Sequence, residues 1–96
     1  MSVSYEEVEQ FLRDEVAALT GQPAESVTGE TVLVGAQRAV DSADLVMLLL
    51  AAEEFTLEKM GATFDWTSDS AMSEARSVLR TVATLARHLA QLQPAP

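Results

Sequence analysis

Apolar residues recur near the start of the chain at the spacing of one helical face: Tyr5, Val8, Leu12, Val16 and Leu19. That period predicts a helix from about Ser4 to Leu19. Glu6, Glu7 and Glu9 lie in its first turns, where the helix dipole favours negative charge, and Gly21 followed by Pro23 supplies a stop. From Thr20 to Val40 no period is sustained, and Gly21, Pro23, Gly29 and Gly35 interrupt the stretch. It reads as a long loop anchored by Val32, Leu33 and Val34; loops of this length within a domain are uncommon and often functional. A second helix is predicted from Asp41-Ser42 to about Met60. Asp41 and Ser42 are both good N-cap residues, Asp44 adds charge to the first turn, and Gly61 suits the C′ position behind Lys59. Leu45, Leu48, Leu49, Ala52, Phe55 and Met60 share a broad arc at about 100° per residue. Val46, Leu50 and Leu57 widen that arc, so this is expected to be the most buried helix. Its remaining ridge is Asp44, Met47, Ala51, Glu54 and Glu58.

Beyond it, Ala62 to Trp66 alternates as an extended segment does, with Phe64 and Trp66 set to close the end of the bundle. Ser68, Asp69 and Ser70 offer caps for a short helix at about Ala71 to Ala75. Thr81 caps a last helix with Val82, Leu85, Leu89 and Leu92 on one stripe. The expected class is all-α: four helices with a long loop between the first two and a short third. Residues 1–96 are expected to form one domain, with an ordered core of about 4–92 and frayed ends.

Composition narrows the function classes. Hydrophobic residues are 48% of the chain, ample for one core, and there is no Cys. The formal net charge of −9 repels phosphate backbones and anionic membranes and favours basic protein partners. The amino-terminal residues lack the charge and apolar run of a signal peptide, and Leu45 to Ala52 is too short to span a bilayer; a cytoplasmic location is expected. Catalysis by the chain itself is not expected. His88 is its sole histidine, and no Cys nucleophile, Gly-rich phosphate loop or metal-spaced His/Cys set appears. Asp41 with Asp44 could form a carboxylate pair, but acids at a helix start usually serve the dipole.

The conspicuous feature is Asp41-Ser42, at the head of an apolar helix and after a long loop. A serine there is exposed on a rigid element, and an anion on its hydroxyl is stabilised by the dipole and free amides. A phosphodiester would suit it, although a serine at a helix start often serves only as a cap.

The stretch from Val40 to Glu54, VDSADLVMLLLAAEE, resembles the modification segment of acyl and peptidyl carrier proteins. Thr31-Val32-Leu33-Val34-Gly35 is similar to that family's loop before the serine, and Arg80-Thr81-Val82-Ala83-Thr84-Leu85 to its last helix. The resemblance covers nearly the whole chain and rests most on Asp-Ser and the helix after it. It implies a four-helix carrier fold with phosphopantetheine on Ser42, transferred from coenzyme A by a phosphopantetheinyl transferase. Asp41 would help recruit that transferase and its metal ion. The cofactor thiol would hold an acyl or aminoacyl group as a thioester, loaded by a ligase and passed to synthase or modifying enzymes. Asp44, Met47, Ala51, Glu54 and Glu58 would be the docking ridge, with Ala43 also touching partners.

Several residues depart from the family pattern. Ala43 replaces the usual bulky residue after the serine, Val40 precedes Asp41 so that Gly does not immediately precede the pair as in many fatty-acid carriers, and Met47 sits where a charge is common. These point toward specialised polyketide, nonribosomal peptide or other acyl chemistry. A monomer is the simpler expectation for a carrier that must diffuse between enzymes. A different class keeps the same surface without the arm: an unmodified acidic helical adaptor that docks a basic partner.

Overall fold

The computed structural model describes residues 4–34, 39–64, 66 and 78–92. Among them the chain forms three α-helices, α1 (Tyr5–Thr20), α2 (Ser42–Met60) and α3 (Val82–Ala90), with a single 3-10 turn at Ala24–Ser26 between the first two. The all-α class therefore holds, with three helices among the described residues. The short helix expected at 71–75 lies outside them.

Each helix begins and ends where local chemistry directs. The Ser4 hydroxyl accepts the Glu7 N–H at 3.2 Å to start α1, and Gly21 takes the left-handed conformation after it, with φ +72°. Asp41 starts α2, its carboxylate accepting the Asp44 N–H at 2.8 Å. At the other end Gly61, φ +66°, returns its N–H to the Leu57 carbonyl, a backbone conformation that glycine adopts without steric cost. Thr81 and Thr84 form a reciprocal capping box at the head of α3.

α1 packs against both α2 and α3 and against the 3-10 turn. Its buried stripe is Val8, Leu12, Val16 and Ala17, facing Leu48, Leu49 and Ala52 of α2 and Val82, Leu85, Ala86 and Leu89 of α3. Each such leucine contributes about 1.5–3 kcal/mol by leaving water. Thr56, also fully buried, satisfies its hydroxyl on the Glu53 carbonyl at 3.1 Å. Phe64 is buried and meets the His88 ring edge-on at 5.8 Å between centroids. Trp66 is half-buried, its indole N–H donating to the Glu53 carboxylate at 3.0 Å.

The segment between α1 and α2 is tied down by backbone bonds rather than by regular structure. Arg13 donates to the Val27 carbonyl at 2.9 Å, and Leu33 N–H to Arg80 C=O at 2.9 Å. Val82 N–H reaches Thr31 C=O at 3.1 Å, and Ala83 N–H reaches Gly29 C=O at 2.7 Å. An isolated antiparallel bridge joins Val32 to Thr81. Val27, Leu33 and Val40 then sink into the core. Gly29 sits close to its neighbours: a Cβ there would meet the Glu9 carboxylate at 3.0 Å and the Ala83 Cβ at 3.4 Å, so the Glu9 side chain would have to yield.

The structure corrects one expectation about α2. It is not buried all round. Val46 is 44% exposed, Leu50 48% and Leu57 58%. The residues that do face the core, Leu48, Leu49, Ala52, Thr56 and Met60, span an arc of only about 120° at 100° per residue. Among the described helices it packs mainly on α1, and its far face keeps an apolar stripe in water.

Candidate functional site

Ser42 is the first residue of α2, and its side chain is exposed. The helix start beside it is built from three anchored residues. Ala39 donates its N–H to the Val32 carbonyl at 2.7 Å, and Val32 is itself bridged to Thr81 at the head of α3. Val40 is buried, 2% exposed, which fixes the approach of the chain to the helix. Asp41 follows with extended backbone, φ −82° and ψ 179°, and caps through its carboxylate. Its carbonyl accepts the Leu45 N–H at 2.9 Å.

The two residues divide the local work, and the cap falls to one of them. An Asp-Ser pair at a helix start leaves open which residue caps; here Asp41 does. Among the described residues no group hydrogen-bonds the Ser42 hydroxyl. The backbone N–H groups of Ser42 and Ala43 lie in the unpaired first turn, where a helix carries partial positive charge. A rigidly presented, solvent-facing hydroxyl beside free amide donors can accept a phosphoryl group and stabilise the anion that results.

The other predicted residues fall on the outward face of α2. Ala43, Glu54 and Glu58 are exposed, Asp44 and Ala51 are half-buried, and Met47 is 55% exposed. With Val46, Leu50 and Leu57 they form a surface of small and large apolar groups bordered by carboxylates. Periodicity alone did not single out those three leucine and valine positions, because α2 is apolar on nearly every side. The usable signal was that excess: more apolar surface than one neighbouring helix can cover. Of four apolar α2 residues that could line a cavity for an acyl chain, Val46 and Leu50 face water, Phe55 is half-buried and Met60 is core. Arg38, which lies just ahead of the Asp-Ser pair in the sequence and could touch a partner, is outside the described residues.

Among the described residues no cluster of His, Cys, Asp or Glu could hold a metal ion, and no helix is long and apolar enough to cross a membrane. Away from Ser42, at the head of α1, the fold alters the acidity of a tyrosine. The Tyr5 phenol is raised above its ordinary value of 10.0, first by its hydrogen bond to Glu9 and then by burial; that bond is 2.8 Å long.

Comparison with known proteins returns nothing for this chain: no family model, no characterised protein and no solved structure matches it.

Proposed function

We propose that the protein is an acyl carrier whose Ser42 bears a phosphopantetheine arm. The observation that carries this reading is that Asp41 caps α2 and leaves the adjacent Ser42 hydroxyl exposed on an anchored helix start. The resemblance of the Asp-Ser segment and the flanking elements to carrier proteins supports the choice of cofactor. In attachment, Ser42 Oγ displaces adenosine 3′,5′-bisphosphate from coenzyme A at phosphorus, and its proton leaves to the transferase. The arm supplies the thiol on which an acyl or aminoacyl group rides as a thioester. The chain itself provides position and recognition rather than a catalytic group. The amides of Ser42 and Ala43 would hold the phosphodiester at the helix start, and Asp41, which caps the helix, would help recruit the transferase and its metal.

Partner enzymes dock on the outward face of α2. The ridge of Ala43, Asp44, Met47, Ala51, Glu54 and Glu58 gains area from Val46, Leu50 and Leu57, so docking there buries apolar surface as well as pairing charge. A surface of this kind fits dedicated partners of a specialised polyketide, peptide or other acyl pathway. The reading includes a fourth, short helix at 71–75, a monomer and a cytoplasmic location.

One observation favours a second reading. The apolar face of α2 would bind a partner whether or not Ser42 is modified, as in an acidic adaptor without the arm. The two readings separate on incubation with coenzyme A, magnesium and a broad-specificity phosphopantetheinyl transferase. A carrier gains one phosphopantetheinyl unit in intact mass, and Ser42→Ala gains none. A folded protein that stays unmodified with several transferases, and whose Ser42→Ala variant keeps full biological function, is the adaptor.

A further inference from the structure

Toward the far end of α2, about 20 Å along the helix axis from Ser42, Phe11 and Phe55 stack face to face between α1 and α2. Their centroids are 4.2 Å apart and their planes 21° apart. Neither ring is fully buried. A groove of about 570 Å³ opens on one side of the pair, bordered by Glu6, Glu7, Gln10, Asp14 and Lys59. A second, of about 360 Å³, opens on the other side, bordered by Glu15, Ala51, Glu54, Glu58 and Lys59. Both are open to solvent and share the two rings as floor. Glu6, Glu7, Asp14, Glu15, Glu54 and Glu58 therefore surround an aromatic centre against the single ammonium of Lys59. Among the described residues none of these six forms an ion pair.

The chemistry selects the occupant. Open grooves of this breadth suit a polypeptide better than an enclosed small molecule. A second copy of the chain would bring a charge of −9 against a charge of −9, which opposes association. An aromatic floor with an acidic rim complements apolar side chains flanked by Lys or Arg, which gain both burial and cation–π contact. Taken together across the ring pair, the two grooves border α1 from Glu6 to Glu15, about 14 Å at 1.5 Å per residue, enough for two to three turns of a bound helix.

We propose that the groove between α1 and α2 is a docking site for a basic amphipathic helix of a partner protein, seated on Phe11 and Phe55. The site is distinct from the Ser42 end and works whether or not Ser42 is modified, although Ala51, Glu54 and Glu58 border both this groove and the outward face of α2.

The test uses the full chain and a fluorescein-labelled, fourteen-residue Leu/Lys peptide patterned for an apolar helical stripe. Its control is a peptide of the same composition, scrambled to abolish the stripe. Anisotropy reads affinity, amide NMR shifts locate the contact, and thermal melts verify that each variant is folded. The patterned peptide is expected to move the amides of Phe11, Asp14, Phe55 and Lys59 and to bind at least about tenfold more tightly than the scrambled one. Asp14→Lys with Glu58→Lys should weaken binding by about tenfold or more. Position 58 lies in the last turn of α2, where a cation is favourable, so this pair should fold. Glu25→Lys with Glu30→Lys, exposed positions outside the grooves, should change affinity less than about twofold, and Ser42→Ala should bind as the parent does. Equal binding of the scrambled peptide, equal loss in the two reversal pairs, or shifts centred on Val46, Met47 and Leu50 would each overturn the proposal. So would no binding at low salt, or concentration-dependent shifts of the groove residues without peptide, which would mark a second copy as the occupant.

Discussion

The heads of α2 and α3 solve the same problem with opposite consequences for their hydroxyl groups. At α3 both hydroxyls are consumed. Thr81 Oγ1 accepts the Thr84 N–H at 3.2 Å, Thr84 Oγ1 accepts the Thr81 N–H at 2.9 Å, and Thr84 Oγ1 donates to the Val78 carbonyl at 2.8 Å. At α2 a carboxylate does the capping, and the neighbouring hydroxyl faces water. The comparison separates a hydroxyl that the fold uses from one that it leaves free, and the proposed attachment at Ser42 needs the second kind. The α2 start is also supported at a distance, because Thr81 of the α3 cap is the residue bridged to Val32, which in turn holds Ala39. One helix start thus stabilises the loop that presents the other.

That contrast can be strained in a graded way. The largest loss should come from the core both helices share: Leu48→Ala is expected to cost about 2–5 kcal/mol in denaturant unfolding. Leu50→Ala, two positions along but on the exposed face, should stay within about 0.5 kcal/mol; a similar cost at both would mean that α2 is enclosed. Next, the double variant Thr81→Ala, Thr84→Ala should lose about 2 kcal/mol, since it removes a cap at each of two donors, and should lower Tm by about 8–16 °C for a domain of this size. Asp41→Ala should cost about 1 kcal/mol and Asp41→Asn only a few tenths, because Asn also caps well. Ser42→Ala should likewise stay within about 0.5 kcal/mol of the parent. A larger loss there would show the hydroxyl to be structural after all.

At the head of α1, Tyr5→Phe adds a check by pH. The folded Tyr5 phenol ionises above 10.0, held by Glu9 first and burial second. A raised folded value means its stabilisation is complete below the unfolded value and fades as pH climbs through the folded one. Stability of the parent should therefore fall more steeply above pH 10 than that of Tyr5→Phe, measured by unfolding across alkaline buffers; parallel curves would contradict the Tyr5–Glu9 bond.

Much of this was legible in the residues. Five apolar positions placed α1, Gly21 and Gly61 stopped the helices that precede them, and Thr81 marked the head of α3. These signals are local: a cap and a left-handed glycine act within one turn. What was not legible is mostly nonlocal. Periodicity could not choose the buried side of α2, because Val46, Leu50 and Leu57 extend its apolar surface around the axis and only the partner helix decides which residues are covered. Phe11 lies beside the α1 stripe, and its stacking on Phe55 depends on how two helices meet. The loop offered apolar residues but no sign that Arg13, Arg80 and Val82 would bind its backbone, nor of the turn at Ala24–Ser26. For the site, Asp41-Ser42 stood out in the sequence, whereas the assignment of the cap to Asp41 needed the geometry.

The most direct measurement is tandem mass spectrometry on the protein isolated from the cells that make it, reading the peptide that contains Ser42. A phosphopantetheinyl group localised to Ser42 is the predicted result. Unmodified Ser42 throughout the isolated protein, or the group found on another serine, would contradict the account.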